Sequence, residues 1–254
     1  MHSHVVIHPD YHDLADFITR LPGHFDSDGE MLYDHRNQIK RYEIGDHLVV
    51  AKRYRRPRAI QKIAYSFFRK SKAERAYFNG LELCRRGFST PFSIAYIEEK
   101  RRCLLEDSYY ICENDDTPPI ADLIVGASAI DPQLPKDLGV FFSQLHRRGI
   151  LHHDLNDTNI LCHEVIGGHY EFSLIDNNRM RFYPDGTLPP KDARMENITR
   201  FTGDMDLFRK VAEAYCDAMG YSKEMLEEMI AAKKKHDYRW DRKKELLARL
   251  KGRQ

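Results

Sequence analysis

Residues 151–161 read LHHDLNDTNIL, and within them Asp154 is followed after four residues by Asn159 and a pair of aliphatic anchors. Transfer of a phosphoryl group to a hydroxyl needs a carboxylate that orients the alcohol and accepts its proton. It also needs a nearby hard oxygen donor for magnesium, and the loop H-R-D-x-x-x-x-N supplies both. Asp154 and Asn159 match these two roles. The adjacent histidines invite a zinc reading, but His152 and His153 point in different directions in any regular structure, and no HExxH is present. Asp and Asn also shape ordinary turns, and the spacing is what raises the stretch above that use.

A second acid can be placed by counting. Asn159 leads into ILCHEVI, then Gly167-Gly168, then HYEFSLID ending at Asp176. If the glycines form a two-residue hairpin turn, Ile166 pairs with His169, and Asn159 falls opposite Asp176. Paired residues lie about 5 Å apart, close enough to share a cation. Their oxygens suit Mg²⁺, whose remaining positions go to phosphate and water.

Upstream, Lys52 ends the run VVAK, and Glu74, Tyr77, Phe78 and Leu81 share one helical face. An inward carboxylate needs a cation, so Lys52 and Glu74 are expected to pair. No G-x-G-x-x-G precedes Lys52. The equivalent stretch, DHRNQIKRYEIGD (34–46), has one glycine and leaves Arg36, Asn37 or backbone N–H groups as candidates for covering phosphates.

Regular elements must position these groups. HLVVAKRY (47–54) is strand-like, and Ile60, Ile63, Ala64, Phe67 and Phe68 give a helical stripe. A second helix runs from about 71 to 86 and ends at Gly87. Three β-like runs (93–97, 102–106, 108–112) precede the turn-rich NDDTPP, where a boundary falls. Beyond it come a helix with Leu138, Phe141, Phe142 and Leu145, ended by Gly149, and helices from about Gly203 onward. Asp204 and Asp206 stand at the start of a helix, where capping is the usual role. The order predicts an α+β chain of two lobes, residues 1–113 and 114–254.

The 254 residues carry 40 basic and 39 acidic side chains, so overall charge names no polyanionic partner. No nucleic-acid readout motif is present. Five scattered cysteines fit a reducing compartment, and the absence of a signal sequence or an apolar run of bilayer length fits a cytoplasmic protein. Charge is local: ten basic residues between Lys52 and Arg75 face the single acid Glu74, a patch suited to an anionic saccharide or an anionic membrane surface, or simply to solvent.

With VVAK, Glu74, HHDLNDTNIL and LIDNNRMRF together, the chain resembles the bacterial lipopolysaccharide kinase family, which includes inner-core Kdo and heptose kinases. KRYRRP, SFFRKSKAERAY and STPFSIAY add to the likeness, which spans roughly residues 35–215. It implies a bilobal protein-kinase-like fold with a small β-rich lobe and a mainly helical one. It also implies ATP with Mg²⁺, and phosphorylation of a sugar hydroxyl of lipid A-core, most of all on Kdo, at the inner face of the inner membrane. Asp154 is then the catalytic base, and Asn159 and Asp176 hold metal. Lys52 and Glu74 position ATP, and Glu113 is assigned with them to the nucleotide. The chain departs from the pattern after Asp176, where Asn177 and Asn178 stand in place of a DFG glycine and an acid. There is no APE motif, which favours a small or lipid-linked acceptor over a protein. The open alternatives are a heptose kinase, another kinase-like enzyme acting on a small molecule or protein serine, and a catalytically silent kinase-like binding module.

Overall fold

The computed structural model describes residues 2–57, 62, 65, 66 and 69–251. The expected helix with Ile60, Ile63, Ala64, Phe67 and Phe68 lies outside the described residues. Two compact units form, Met1–Asp116 with Leu174–Arg179, and Thr117–Ser173 with Met180–Gln254. The first thus runs past residue 113 and takes in the short piece that carries Asp176.

In the first unit, β1 (His2–Ile7), β2 (Glu30–Asp34), β3 (Gln38–Ile44), β4 (His47–Tyr54), β5 (Ser93–Arg101) and β6 (Leu104–Glu113) build one antiparallel sheet in the order β1-β5-β6-β4-β3-β2. Alternation along β4 decides what each face meets. Val49 and Ala51 join Leu14, Ile18, Leu21 and Phe25 in the core under α1 (Ala15–His24). Val50 and Tyr54 point the other way, to Ala73, Ala76 and Tyr77 of α2 (Lys72–Arg85). Each large apolar side chain buried there contributes roughly 1.5–3 kcal/mol. Ser71 caps α2 by accepting a hydrogen bond from the Glu74 N–H, and Gly87, at φ +82°, closes the helix as expected.

One expected pair of strands differs in this unit. The runs 102–106 and 108–112 are a single strand, β6, joined to β5 by a two-residue turn at Arg102 and Cys103, both with positive φ. Such turns are usually marked by Asn or Gly, and this one has neither.

The second unit holds α3 (Ala121–Ile124), α4 (Gln133–Arg147), α5 (Lys191–Ile198), α6 (Met205–Met219) and α7 (Lys223–Lys251). Two small ribbons complete it, β7 (Ile150–His152) with β10 (Met180–Phe182), and β8 (Ile160–Val165) with β9 (His169–Leu174). Its core centres on Leu138, Phe142 and Leu145 of α4 and Phe208, Val211 and Tyr215 of α6, all at most 3% exposed. Gly139 permits the close crossing of these helices: a Cβ there would lie 2.6 Å from the Ala214 Cβ and 2.6 Å from the Val211 carbonyl oxygen. No helix among the described residues is long and apolar enough to cross a membrane.

The β8–β9 turn also differs from expectation. It spans Ile166, Gly167 and Gly168, closed by Gly168 N–H donating to the Val165 oxygen. A three-residue loop moves the register by one place, and His163 lies across from Glu171 at 3.7 Å, as that shifted register requires.

Candidate active site

The 151–161 stretch is tied down by its own polar groups. The Asp154 carbonyl oxygen accepts hydrogen bonds from the Asn156 N–H (2.9 Å) and from Asn159 Nδ2 (2.8 Å). Asn156 Oδ1 accepts from the Thr158 N–H and hydroxyl, the Asx turn its type favours. Leu155, 1% exposed, pins the loop to the core. Asp154 and Asn159 are thus brought together as the spacing implied, both half-buried. Because Asn159 uses its NH₂ on Asp154, its Oδ1 remains, and it takes no hydrogen bond from any described residue.

Beneath the loop runs a relay that sequence reading missed. His152 is fully buried; its Nδ1 accepts from the Asp154 N–H, and its carbonyl accepts from Asn197 Nδ2 at 2.7 Å. Asn197 Oδ1 in turn meets His146 Nε2 (3.1 Å), and His146 Nδ1 meets the Tyr215 hydroxyl (2.9 Å). Burial pushes the His146 imidazole down to about 4, so it is neutral at pH 7. The loop is therefore braced by Asn197 on α5. Asp204 instead caps α6, accepting from the Asp206 and Leu207 N–H groups. A polar residue on α5 carries no sequence signal of this kind; His146 inside an apolar helical stripe is the one hint available.

In the first unit, Lys52 and Asp176 form an ion pair at 2.8 Å, with side chains 15% and 24% exposed. Asp176 sits at φ +58°, a left-handed conformation that Asp tolerates better than most residues and that recurs at functional sites. Its two C-terminal neighbours hold it there. Asn178 Nδ2 donates to the Asp176 carboxylate, Asn177 Nδ2 donates to Thr90 Oγ1 at 2.8 Å, and Asn79 of α2 donates to the Asn177 carbonyl at 2.7 Å. The two asparagines that break the DFG pattern thus lock the acid in place. Tyr54, 3% exposed, lies beneath two ammonium groups, Lys52 at 5.3 Å and Lys72 at 5.8 Å from its ring centre. Burial first, and the Asp176 charge second, push its phenol far above the usual range.

One expected pairing meets another partner. Glu74 pairs with Lys70, one turn earlier on the chain, at 3.2 Å, and not with Lys52, because it lies in the first turn of α2 where the preceding loop can reach it. The Glu113 carboxylate accepts the Tyr11 hydroxyl. Asp154 and Asn159 belong to the second unit, and Lys52, Glu74, Glu113 and Asp176 to the first.

A family model described as the lipopolysaccharide kinase (Kdo/WaaP) family matches residues 40–202. The chain belongs to that family. Lipopolysaccharide kinases are phosphotransferases, and the matched region contains Lys52, Glu74, Glu113, Asp154, Asn159 and Asp176. In fold the chain is similar to a structure described as WaaP in complex with acyl carrier protein. The TM-score is 0.61 at 14% identity, covering 91% of this chain and 98% of that one. A Rio2 kinase–ADP/Mg²⁺–phosphoaspartate complex from Chaetomium thermophilum matches at TM-score 0.46 and 18% identity, over 88% of this chain and 76% of that one. No curated protein matches the chain. The fold is that of the WaaP structure, a mixed α and β chain with a six-stranded antiparallel sheet in one unit, as expected for the α+β class.

Proposed function

We propose that this lipopolysaccharide kinase transfers the γ-phosphoryl group of ATP to a hydroxyl of Kdo on lipid A. Asp154 accepts the proton of that hydroxyl as its oxygen bonds to phosphorus and the bond to the departing ADP breaks. Lys52 holds ATP phosphate oxygens, with Glu74 and Glu113 assigned to the nucleotide.

By the family resemblance Asp176 and Asn159 would hold a magnesium ion, and the chemistry of each suits it: Asp176 has a carboxylate that accepts from Asn178 Nδ2, and Asn159 an amide oxygen with no hydrogen bond from a described residue. When bound, Mg²⁺ would neutralise charge developing on the transferred group. The observation that carries the reading is the family match over residues 40–202, which holds the whole residue set.

The test is transfer from ATP to Kdo-lipid A by the intact protein and by Asp154→Asn. Transfer by the first and loss in the second is expected; no transfer to any core saccharide ends the proposal. A heptose acceptor is the second reading, favoured by the same family description, and parallel assays on heptose-bearing core separate the two. The anionic membrane surface is the place where such an acceptor is met, with the enzyme at the cytoplasmic face of the inner membrane.

A further inference from the structure

The tip of the β2–β3 hairpin, His35 to Asn37, borders a cleft of about 460 Å³ within the first unit. Its floor is charge-balanced. Arg53 donates to Asp26 and to Gln38 while its guanidinium lies 4.5 Å from the Phe25 ring centre. Arg56 donates to Asp107 at 2.7 Å, an acid 5% exposed. Asn37 Oδ1 accepts the Arg55 N–H at 3.2 Å and so ties the hairpin tip to the end of β4.

The charge at the rim is uncompensated. Neither the Arg36 nor the Arg55 guanidinium has a hydrogen bond or ion pair with a described residue, while Asp26 and Asp107, the acids lining the cleft, are each already paired. The surplus reaches further: burial, then Arg36, Arg75 and Arg179, press the Lys72 ammonium below its usual range. The cleft borders the Lys52 position at Tyr54, over whose ring the Lys52 ammonium lies, and competition with MgATP therefore decides whether a phosphate bound there belongs to a sugar or to the nucleotide. Arg53 is the next residue after Lys52 in β4, so the two side chains leave opposite faces of the sheet, Arg53 toward Phe25 and Lys52 toward Tyr54.

We propose that this cleft is a binding site for the phosphate of a phosphorylated saccharide, gripped by Arg36 and Arg55. A planar guanidinium matches a phosphate through two parallel N–H donors. The volume falls in the range of small-molecule pockets and suits one phosphosugar better than a flat bilayer. That the saccharide belongs to the acceptor rests on the kinase reading; that the cleft binds it does not.

The experiment is calorimetric titration of the full chain with glucose 1-phosphate and with glucose, repeated on the Arg36→Gln/Arg55→Gln double variant and in the presence of saturating MgATP. Binding of the phosphate ester and not of glucose is expected, weakened about tenfold or more in the double variant and unaffected by MgATP. Absence of binding, equal binding by the variant, or displacement by MgATP would each overturn the proposal. Vesicles of phosphatidylglycerol serve as the second source of phosphate, and if the double substitution weakens vesicle binding but not sugar phosphate binding, the saccharide assignment is wrong. Failure of the kinase reading shows separately, as no transfer by a protein that still binds the sugar phosphate.

Discussion

Lys52 and Asp176 meet at 2.8 Å across 124 residues of sequence. The pair places the ammonium proposed to hold ATP phosphates against the acid proposed to hold the metal, so that on this proposal binding of the ion with ATP redistributes the contact. Lys52→Met is expected to lower phosphate transfer by about 100-fold or more, as loss of a preorganised charge does. Its cost in stability should stay near 1–2 kcal/mol, because both side chains retain some solvent. Steady-state kinetics and urea midpoints on the same preparation check both halves.

Asp154→Asn keeps the backbone carbonyl that receives Asn159 Nδ2 and removes the proposed proton acceptor. Its expected signature is a rate about 10²–10⁴-fold lower with an unchanged thermal midpoint. A variant that loses activity and unfolds early would point to a structural role instead.

Asn197→Ala withdraws the donor from the buried His152 carbonyl and leaves His146 Nε2 without its partner. Leaving such a group unsatisfied costs about 1–3 kcal/mol. The rate should fall about tenfold while the KM for ATP holds, since the brace acts on the loop and not on the nucleotide.

His146 sets a pH dependence. Its folded value, about 4, lies below the ordinary 6.5, so between these limits the unfolded chain binds more protons than the folded one. Stability therefore falls as pH drops from 6.5 toward 4, by about 3 kcal/mol for this group. Urea midpoints at pH 7.5 and 5 measure the slope, and His146→Gln should flatten it.

Gly139→Ala tests the helix crossing. The substitution favours α4 alone by about 1 kcal/mol, yet its methyl would press on Ala214 and on the Val211 carbonyl. Overpacking of about 1–3 kcal/mol is expected to win, and denaturation will show a net loss. A gain in stability would mean that the helices separate readily.

The parts legible in the sequence were those with a local cause. Strand β4 and helix α2, with its start near Ser71 and its stop at Gly87, could be read because their alternation, periodicity and end signals lie within a few residues. The pairing of Asp154 with Asn159 was legible for the same reason: one loop holds both. Partners set by the third dimension were not. Glu74 was assigned to Lys52 from its helical face, but its place in the first turn brings Lys70 within reach. Asn197, Asn79 and Thr90 act only through chain segments far from the motifs they hold. The β5–β6 turn escaped because Arg102 and Cys103 adopt positive φ without the residues that advertise it, and β1 with α1 carried no motif at all.

Strand β1 has a consequence of its own. It pairs with β5 from His2↔Lys100 to Ile7↔Ala95, which makes it the outermost strand and occupies hydrogen-bonding groups that β5 would otherwise offer to any passing chain. Trimming the first seven residues would leave every residue of the kinase motifs untouched and still bare the largely buried strand β5 at that border, favouring strand exchange and fibrous association.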